Sequence, residues 1–220
     1  MAITAKEVKE LRDATGAGMM DCKRALAEKN GNFDEAVQYL REKGMAKAAK
    51  RASKVANEGA VASYIHMGGK IGVLVEVNCE TDFVARGEAF QQFVKDVCLQ
   101  ICSATPQWVA KEEVPAEAYE AEKAVYVKQA EETGKPPQIC EKIAEGKMNK
   151  WYSEVCLLEQ PFVKDDKKTI ADLIAELTGK CGEKVAVRRF VRYELGEGIE
   201  KEEQDFAAEV AAELAKAEQQ

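Results

Sequence analysis

The hydrophobic period of the chain changes at Gly59, and this change restricts the fold more than any other feature. Over residues 71–77, apolar side chains (IGVLVEV) occupy every second position, which is the repeat of a strand with one buried face. The pair Gly68-Gly69 stands just before that run and suits a two-residue hairpin turn. Because helical repeats fill most of the remaining chain, we predict an α+β protein built around a small antiparallel sheet.

Further segments are expected to complete this sheet. Residues 61–65 alternate in the same way before the turn, and Lys184 to Leu195 (KVAVRRFVRYEL) is a third strand candidate far along the chain. A helix is expected to cover one face, because apolar residues recur at helical spacing before Pro106. These residues are Phe90, Phe93, Val94, Val97 and Ile101.

The residues before Gly44 predict three short amphipathic helices that pack as a bundle. Thr4 and Glu7 have the spacing of a capping box at the start of the first helix. Glycines at positions 16 and 18 then break the chain before the second helix. The second and third helices are predicted over 19–29 and 33–43, and a basic helical linker over 45–57.

Two long helices are predicted next, from Pro115 to Thr133 and from Gln138 to about Leu158. The connection Gly134-Lys-Pro-Pro137 is too short to separate them, so they are expected to fold back as an antiparallel hairpin. A short helix from Thr169 to Thr178 precedes the third strand, and the tail 199–215 is interpreted as an acidic helix. The predicted segments are an N-terminal domain with its linker (1–55), a core of hairpin and helix (56–110), a helical hairpin (111–159), the completion of the core (160–195) and a C-terminal helical module (196–220).

The net charge of −7 is unevenly distributed along the chain. Residues 1–57 carry +4, from twelve basic and eight acidic residues, whereas residues 194–220 carry −7, from nine acidic and two basic ones. An acidic chain does not fit a general DNA- or RNA-binding protein, so no direct nucleic-acid partner is expected. No apolar run approaches the length of a bilayer and no secretory signal is visible, so we expect a cytoplasmic protein without a membrane partner.

Cysteine and histidine patterns give no support for an enzyme or a metal protein. Seven cysteines scattered through periodic segments fit reduced thiols better than a disulfide framework. Cys98 and Cys102 share a helix face, but a chain with one histidine lacks the other two ligands of a zinc site. The predicted hairpin places His66 and Cys79 far apart along the sheet, which excludes a catalytic dyad. We therefore expect no catalytic residue, no metal and no cofactor.

Two glycine clusters match nucleotide-binding loops only in part. Gly16-Ala-Gly18 is followed by Asp21 where a third glycine is needed. Gly179-Lys180-Cys181 lacks both the preceding glycine and the Ser or Thr of a phosphate-binding loop. We interpret both clusters as helix ends.

Two motifs, in this order, resemble the elongation factor Ts family. They are LRDATGAGMMDCKRALAEKNGNFDEAVQYLREKG (Leu11 to Gly44) and EVNCETDFVA (Glu76 to Ala85), and the similarity continues to the tail YELGEGIEKEEQDFAAEVAAE. The resemblance implies a guanine-nucleotide exchange factor of elongation factor Tu that performs no covalent chemistry. It also implies a bundle similar to a ubiquitin-associated domain, a coiled-coil helical hairpin and a C-terminal helix. Longer members of the family carry two copies of the core subdomain, of which one is detectable here.

The resemblance further implies which residues contact elongation factor Tu. Those that match the family's TDFV motif are Thr81, Asp82, Phe83 and Val84. They are expected to enter the partner's G domain near its magnesium and phosphate site, where the ring of Phe83 wedges between helices and the carboxylate of Asp82 disturbs magnesium ligation. The N-terminal bundle is expected to dock on the same domain through adaptable apolar contacts and a charge. The residues expected on that face are Met19, Met20 and Lys23.

Other classes of protein stay open at this point. A ubiquitin-like-binding adaptor would use the bundle but leave the Asp82-Phe83 pair without a role, and a thiol enzyme using Cys79 would need a base that the sequence does not supply.

A homodimer through the core is also expected. A small sheet with one covering helix leaves either an apolar face or an open edge, which a second copy can cover.

Overall fold

The structure, a computed structural model, describes residues 3–199 apart from the side chains of Lys47, Ala48 and Met67. Its helices are α1 (Ala5–Thr15), α2 (Met19–Glu28), α3 (Phe33–Arg51), α4 (Asp82–Arg86), α5 (Glu88–Ala104), α6 (Ala116–Glu131), α7 (Pro137–Val155) and α8 (Ile170–Cys181). Its strands are β1 (Glu58–Ile65), β2 (Ile71–Cys79), β3 (Pro161–Phe162), β4 (Asp165–Thr169) and β5 (Val185–Glu194). The predicted tail helix lies outside the described residues beyond Ile199. Over that described range, no helix is both long and apolar enough to span a membrane.

The predicted sheet is confirmed, with β2 between β1 and β5 and both pairings antiparallel. The hairpin has the predicted register, since the N–H of His66 donates to the carbonyl of Ile71 at 2.9 Å. Gly59, the second residue of β1, has a φ of 140°, and a Cβ atom there would collide with the carbonyl oxygen of Val77. The long-range pairing of β5 with β2 then joins two parts of the chain into one α+β core.

The two faces of the sheet have different environments. On the inner face, alternate residues of β2 are buried beneath α5, whose apolar stripe was predicted to cover the sheet. The buried residues of this core include Val73, Val75, Val77, Phe90, Phe93, Val94, Val97 and Ile101. Burial of each such side chain stabilises the fold by about 1.5–3 kcal/mol. The other side, here called the outer sheet face, exposes Val61, Ile65, Leu74, Val191 and Tyr193.

Helix α3 does not end before Gly44 as predicted but continues to Arg51, so that much of the helical linker predicted over 45–57 is a continuation of α3. The reason is tertiary, because α8 crosses α3 at this point. A Cβ atom on Gly44 would lie 3.4 Å from the carbonyl oxygen of Ala175, and one on Gly179 would lie 3.4 Å from the Cα of Gly44. The cluster Gly179-Lys180-Cys181 forms the last three residues of α8, at a helix end as predicted, and Gly44 and Gly179 both permit close approach of the two helices.

An ion pair accompanies this crossing of α3 and α8. The Nη2 of Arg41 donates to Oδ2 of Asp172 at 2.6 Å, and Asp172 also closes the capping box at Thr169. Burial is the largest single effect on Asp172 and favours its protonated form, but the hydrogen bonds from Arg41 and Thr169, together with the charge of Arg41, outweigh it and lower the pKa of this carboxyl. The N-terminal helices thus pack directly on the core.

The predicted helical hairpin is formed by α6 and α7, which pack against each other. At its base the rings of Trp108 and Trp151 lie 5.9 Å apart.

A buried pair of amides, which no sequence pattern predicted, lies where α5 meets the end of α7. Nε2 of Gln100 donates to Oε1 of Gln160 at 3.1 Å, and Nε2 of Gln160 donates to the carbonyl oxygen of Glu154 at 2.8 Å. These amides connect α5, the end of α7 and the short β3–β4 ribbon.

Candidate functional site

The motif singled out in the sequence forms a corner between a strand and a helix. Strand β2 ends at Cys79, and α4 begins at Asp82. Thr81 is the N-cap of α4, because its Oγ1 accepts a hydrogen bond from the N–H of Val84 at 3.4 Å. We call residues 80–84 the corner.

The corner exposes three of its residues, Thr81, Asp82 and Phe83, and buries Val84. Phe83 has 84% of its surface exposed, an unusual environment for a large aromatic side chain. Asp82 is also exposed and forms an ion pair with Arg86, one helical turn away. Val84 is buried in the core instead, so its side chain is not presented to a partner as the other motif residues are.

Glu80 anchors the corner, although no sequence pattern pointed to it. Its Oε1 accepts from the backbone N–H of Lys184 at 2.6 Å, and its Oε2 accepts from Nη1 of Arg51 at 2.8 Å. These hydrogen bonds, that from Lys184 foremost, lower the pKa of the Glu80 carboxyl. The partners are 104 and 29 residues away, so that only the folded chain brings them together.

Thr81 provides a second anchor through Glu183. The backbone N–H of Thr81 donates to Oε2 of Glu183 at 3.0 Å, and the Thr81 hydroxyl donates to Oε1 at 2.8 Å. The same hydroxyl accepts the capping bond from Val84. The first two residues of the corner are therefore held by Glu183 and Lys184, just before β5, while the next two project from it.

The buried thiols of Cys79 and Cys98 have raised pKa values, which disfavours the reactive thiolate. Cys79 is fully buried at the end of β2, donates to the carbonyl oxygen of Thr81 at 3.1 Å, and has its pKa raised to about 11 by burial. The strand register places His66 at the far end of the hairpin. Burial also raises the pKa of Cys98 to about 11, and Cys102 is buried beside it. Within residues 3–199, no group of His, Cys, Asp and Glu side chains could hold a metal ion.

The N-terminal residues expected to contact a partner lie on a different part of the surface. Met19 and Met20, at the start of α2, are 49% and 68% exposed, and Lys23 is exposed one turn further on. Helix α2 packs on α1 and α3, whereas α4 packs on the sheet and α5. Helix α3 is the element that connects the two regions, since its last residue, Arg51, contacts the corner.

Comparison with known proteins gives a consistent result over nearly the whole chain. The family model described as "Elongation factor TS" matches residues 2–197. The chain is similar to the "Elongation factor Ts" of Geobacter sulfurreducens, with 61% identity over 212 residues that cover 96% of this chain and 98% of the relative. The proteins of the same name from Desulforamulus reducens and Desulfitobacterium hafniense are 59% and 58% identical over the same shares of both chains.

Proposed function

Because the chain belongs to the elongation factor Ts family, we propose that it binds elongation factor Tu carrying GDP and accelerates the release of GDP, so that GTP can bind. The observation that carries this proposal is the exposure of Phe83 beside the Asp82 carboxylate, on a corner anchored by Glu80 and Thr81. Burial of this exposed ring by a partner would favour binding, by about 1.5–3 kcal/mol if the burial is complete.

In the proposed mechanism, the corner enters the partner's G domain close to its magnesium ion and phosphates. The ring of Phe83 separates partner side chains, and the Asp82 carboxylate disturbs magnesium ligation and repels the phosphates. Asp82 must first leave Arg86, but an exposed ion pair one turn apart on a helix contributes little. The anchored residues Glu80 and Thr81 keep the two projecting side chains in place without help from the partner.

Exchange of this kind involves no covalent step, so the protein is not an enzyme in the chemical sense. The factor weakens GDP binding by a certain ratio, and GDP must weaken binding of the factor by the same ratio. The buried, protonated thiol of Cys79 has no part in this mechanism. Neither a cofactor nor a direct contact with nucleic acid is part of the proposal.

A second contact is proposed for the N-terminal bundle, through Met19, Met20 and Lys23. Exposed methionines adapt their shape to an apolar partner surface, and the lysine adds charge recognition. This contact contributes affinity, whereas the corner acts on the nucleotide site. The proposed role places the protein in the cytoplasm, where translation takes place.

One experiment tests the proposal and separates it from the alternatives. Elongation factor Tu is loaded with a fluorescent GDP derivative, and nucleotide release into excess GTP is followed with and without this chain. We expect release to accelerate with the concentration of the chain and to saturate. An adaptor for ubiquitin-like proteins or a thiol enzyme would leave the release rate at its spontaneous value, which would refute the proposed function.

A further inference from the structure

The end of α3 and the chain just before β5 both contact the corner. We call this contact the junction; it consists of Arg51, Glu80 and Lys184. Glu80 accepts from the Arg51 guanidinium and from the backbone N–H of Lys184. The Glu80 side chain is only 18% exposed and that of Arg51 is 40% exposed, so the ion pair is partly shielded from solvent.

Lys184 extends the junction to the chain that leaves α3. Its Nζ donates to the carbonyl oxygens of Ala52 and Lys54, at 2.7 and 3.0 Å. The backbone of Lys184 thus holds the corner, and its side chain holds the segment that follows α3. The end of the N-terminal helices and the start of the corner are fixed to the same point of the core.

From this geometry we propose that Glu80 is a positioning residue, which through Arg51 fixes the orientation of the Asp82-Phe83 pair relative to the N-terminal bundle. The inference rests on the proposed exchange function and adds a residue to it. A partner held by the bundle then receives the ring of Phe83 in one orientation. Without the junction, the corner and the bundle vary in relative orientation, and fewer encounters place the ring in the nucleotide site.

A purely stabilising ion pair would have a different signature. It would change the temperature of unfolding but not the maximal rate of nucleotide release at saturating factor. A positioning residue lowers that maximal rate and changes the half-saturating concentration much less, because the contacts that give affinity remain. Exchange kinetics of the full-length chain therefore distinguish the two roles.

The test uses full-length Glu80→Gln, Arg51→Ala and the double variant. A glutamine at position 80 still accepts the hydrogen bond from the Lys184 backbone, so the corner is expected to stay folded. Each single substitution is expected to lower the maximal release rate about three- to tenfold, a usual effect for residues that connect two sites. The double variant is expected to be no slower than the slower single variant, because both substitutions remove one interaction.

Two further variants act as controls. Arg41→Ala removes a different ion pair between α3 and the core, that with Asp172, and is expected to keep the wild-type maximal rate. Arg51→Lys keeps the positive charge and is expected to restore part of the rate lost in Arg51→Ala. Thermal unfolding establishes that each variant is folded at the assay temperature.

The outcomes separate the inference from the function on which it rests. Wild-type maximal rates in folded Glu80→Gln and Arg51→Ala would overturn the inference, as would an equal loss in Arg41→Ala. Independent, multiplying losses in the double variant would also overturn it. A wild-type chain that fails to stimulate release would overturn the proposed function and the role of Glu80 together.

Discussion

Phe83 and Val84 are adjacent in the chain, yet the first is exposed and the second is buried in the core. The difference follows from the N-cap at Thr81, which starts α4 in an orientation that turns Val84 and Ala85 towards the sheet. A short helix with one face fixed in the core must present its other face to solvent. The side chains at 82 and 83 are therefore available to a partner without a cost in core packing.

Replacement of both exposed residues tests the corner directly. We expect Asp82→Ala/Phe83→Ala to lower the maximal rate of GDP release by a factor on the order of ten to a hundred, the usual range of coupling between two ligands. Far-UV circular dichroism is expected to stay unchanged, since neither side chain holds the core. Arg86→Ala, which removes only the ion-pair partner of Asp82, serves as the control and should retain exchange. Wild-type exchange by the double variant would contradict the mechanism.

Glu76 gives a prediction about pH. Hydrogen bonds from Arg188 and Arg189, at 2.8 and 2.7 Å, lower the pKa of this carboxyl from 4.5 to about 2. Folding favours the ionised form of Glu76. The contribution of this carboxylate to the stability of the protein is therefore fully present above its unfolded pKa and is lost as the pH falls towards about 2. We expect Glu76→Gln to lower the melting temperature at about pH 6 and to converge with wild type near about pH 2. A difference that stays constant over this range would contradict the assignment.

At the scale of elements, the buried amides of Gln100 and Gln160 replace apolar packing where α5, α7 and β3 meet. Both residues are buried, and their hydrogen bonds go to each other and to backbone groups. A network in which the donors and acceptors are matched fixes the geometry of an interface, but it is costly to break. The base of the helical hairpin depends on it.

We expect Gln160→Ala to destabilise the protein by about 2–4 kcal/mol, because it leaves buried partners without hydrogen bonds and opens a cavity. The matched control is Gln107→Ala, a substitution of the same type at an exposed position, with an expected change within about 0.5 kcal/mol. Urea unfolding followed by circular dichroism measures both. Equal stabilities of the two variants would show that the network contributes nothing.

The N-terminal bundle is best tested by point substitutions, since deletion of the bundle would uncover the surface of α8 that α3 covers. We expect Met19→Ala/Met20→Ala/Lys23→Ala to raise the half-saturating concentration for exchange about tenfold and to leave the maximal rate unchanged. The same assay, run over a range of factor concentrations, gives both quantities. An unchanged half-saturating concentration would exclude this face as the contact.

Local sequence patterns predicted most of the helices and strands. The features that they did not predict depend on contacts between residues far apart in the chain. The hairpin register followed from strict alternation and Gly68-Gly69, and the start of α1 from a capping box. The continuation of α3 through Gly44 could not be predicted, because the glycine would end an isolated helix and only the crossing of α8 favours its continuation. At the site, the motif residues came from the resemblance, whereas Glu80 acquires its role from Arg51 and Lys184, which are distant in the chain.

At the scale of the whole molecule, the outer sheet face is notable because all three of its strands expose apolar side chains there. Adjacent strands place Leu74 opposite Val191, and Val61 and Ile65 are 66% and 65% exposed on the same side. Apolar side chains that line one face of a sheet favour a second sheet packed against them. We propose that a second copy of the chain covers this face about a two-fold axis. The corner stays free in such a dimer, because α4 packs on the opposite side of the sheet with the core.

Light scattering after size exclusion, over a range of micromolar concentrations, tests the dimer. We expect a mass that rises from the 24.2 kDa of one chain towards twice that value, and a return to one chain in Leu74→Arg. The control is Val163→Arg, which places the same charge at an exposed position on the ribbon between β3 and β4. A mass fixed at that of one chain throughout would falsify the dimer.

The two tryptophans of the chain, Trp108 and Trp151, contact each other at the base of the helical hairpin. Intrinsic tryptophan emission of the isolated protein therefore reports on that base alone, while far-UV circular dichroism reports on the helices of bundle, core and hairpin together. Coincident unfolding curves from the two signals would mean that the hairpin and the bundle melt as one cooperative unit. Substitution of Phe83 by tryptophan would add an emission band from a ring in water, and its shift to shorter wavelength would record the burial of the corner in real time.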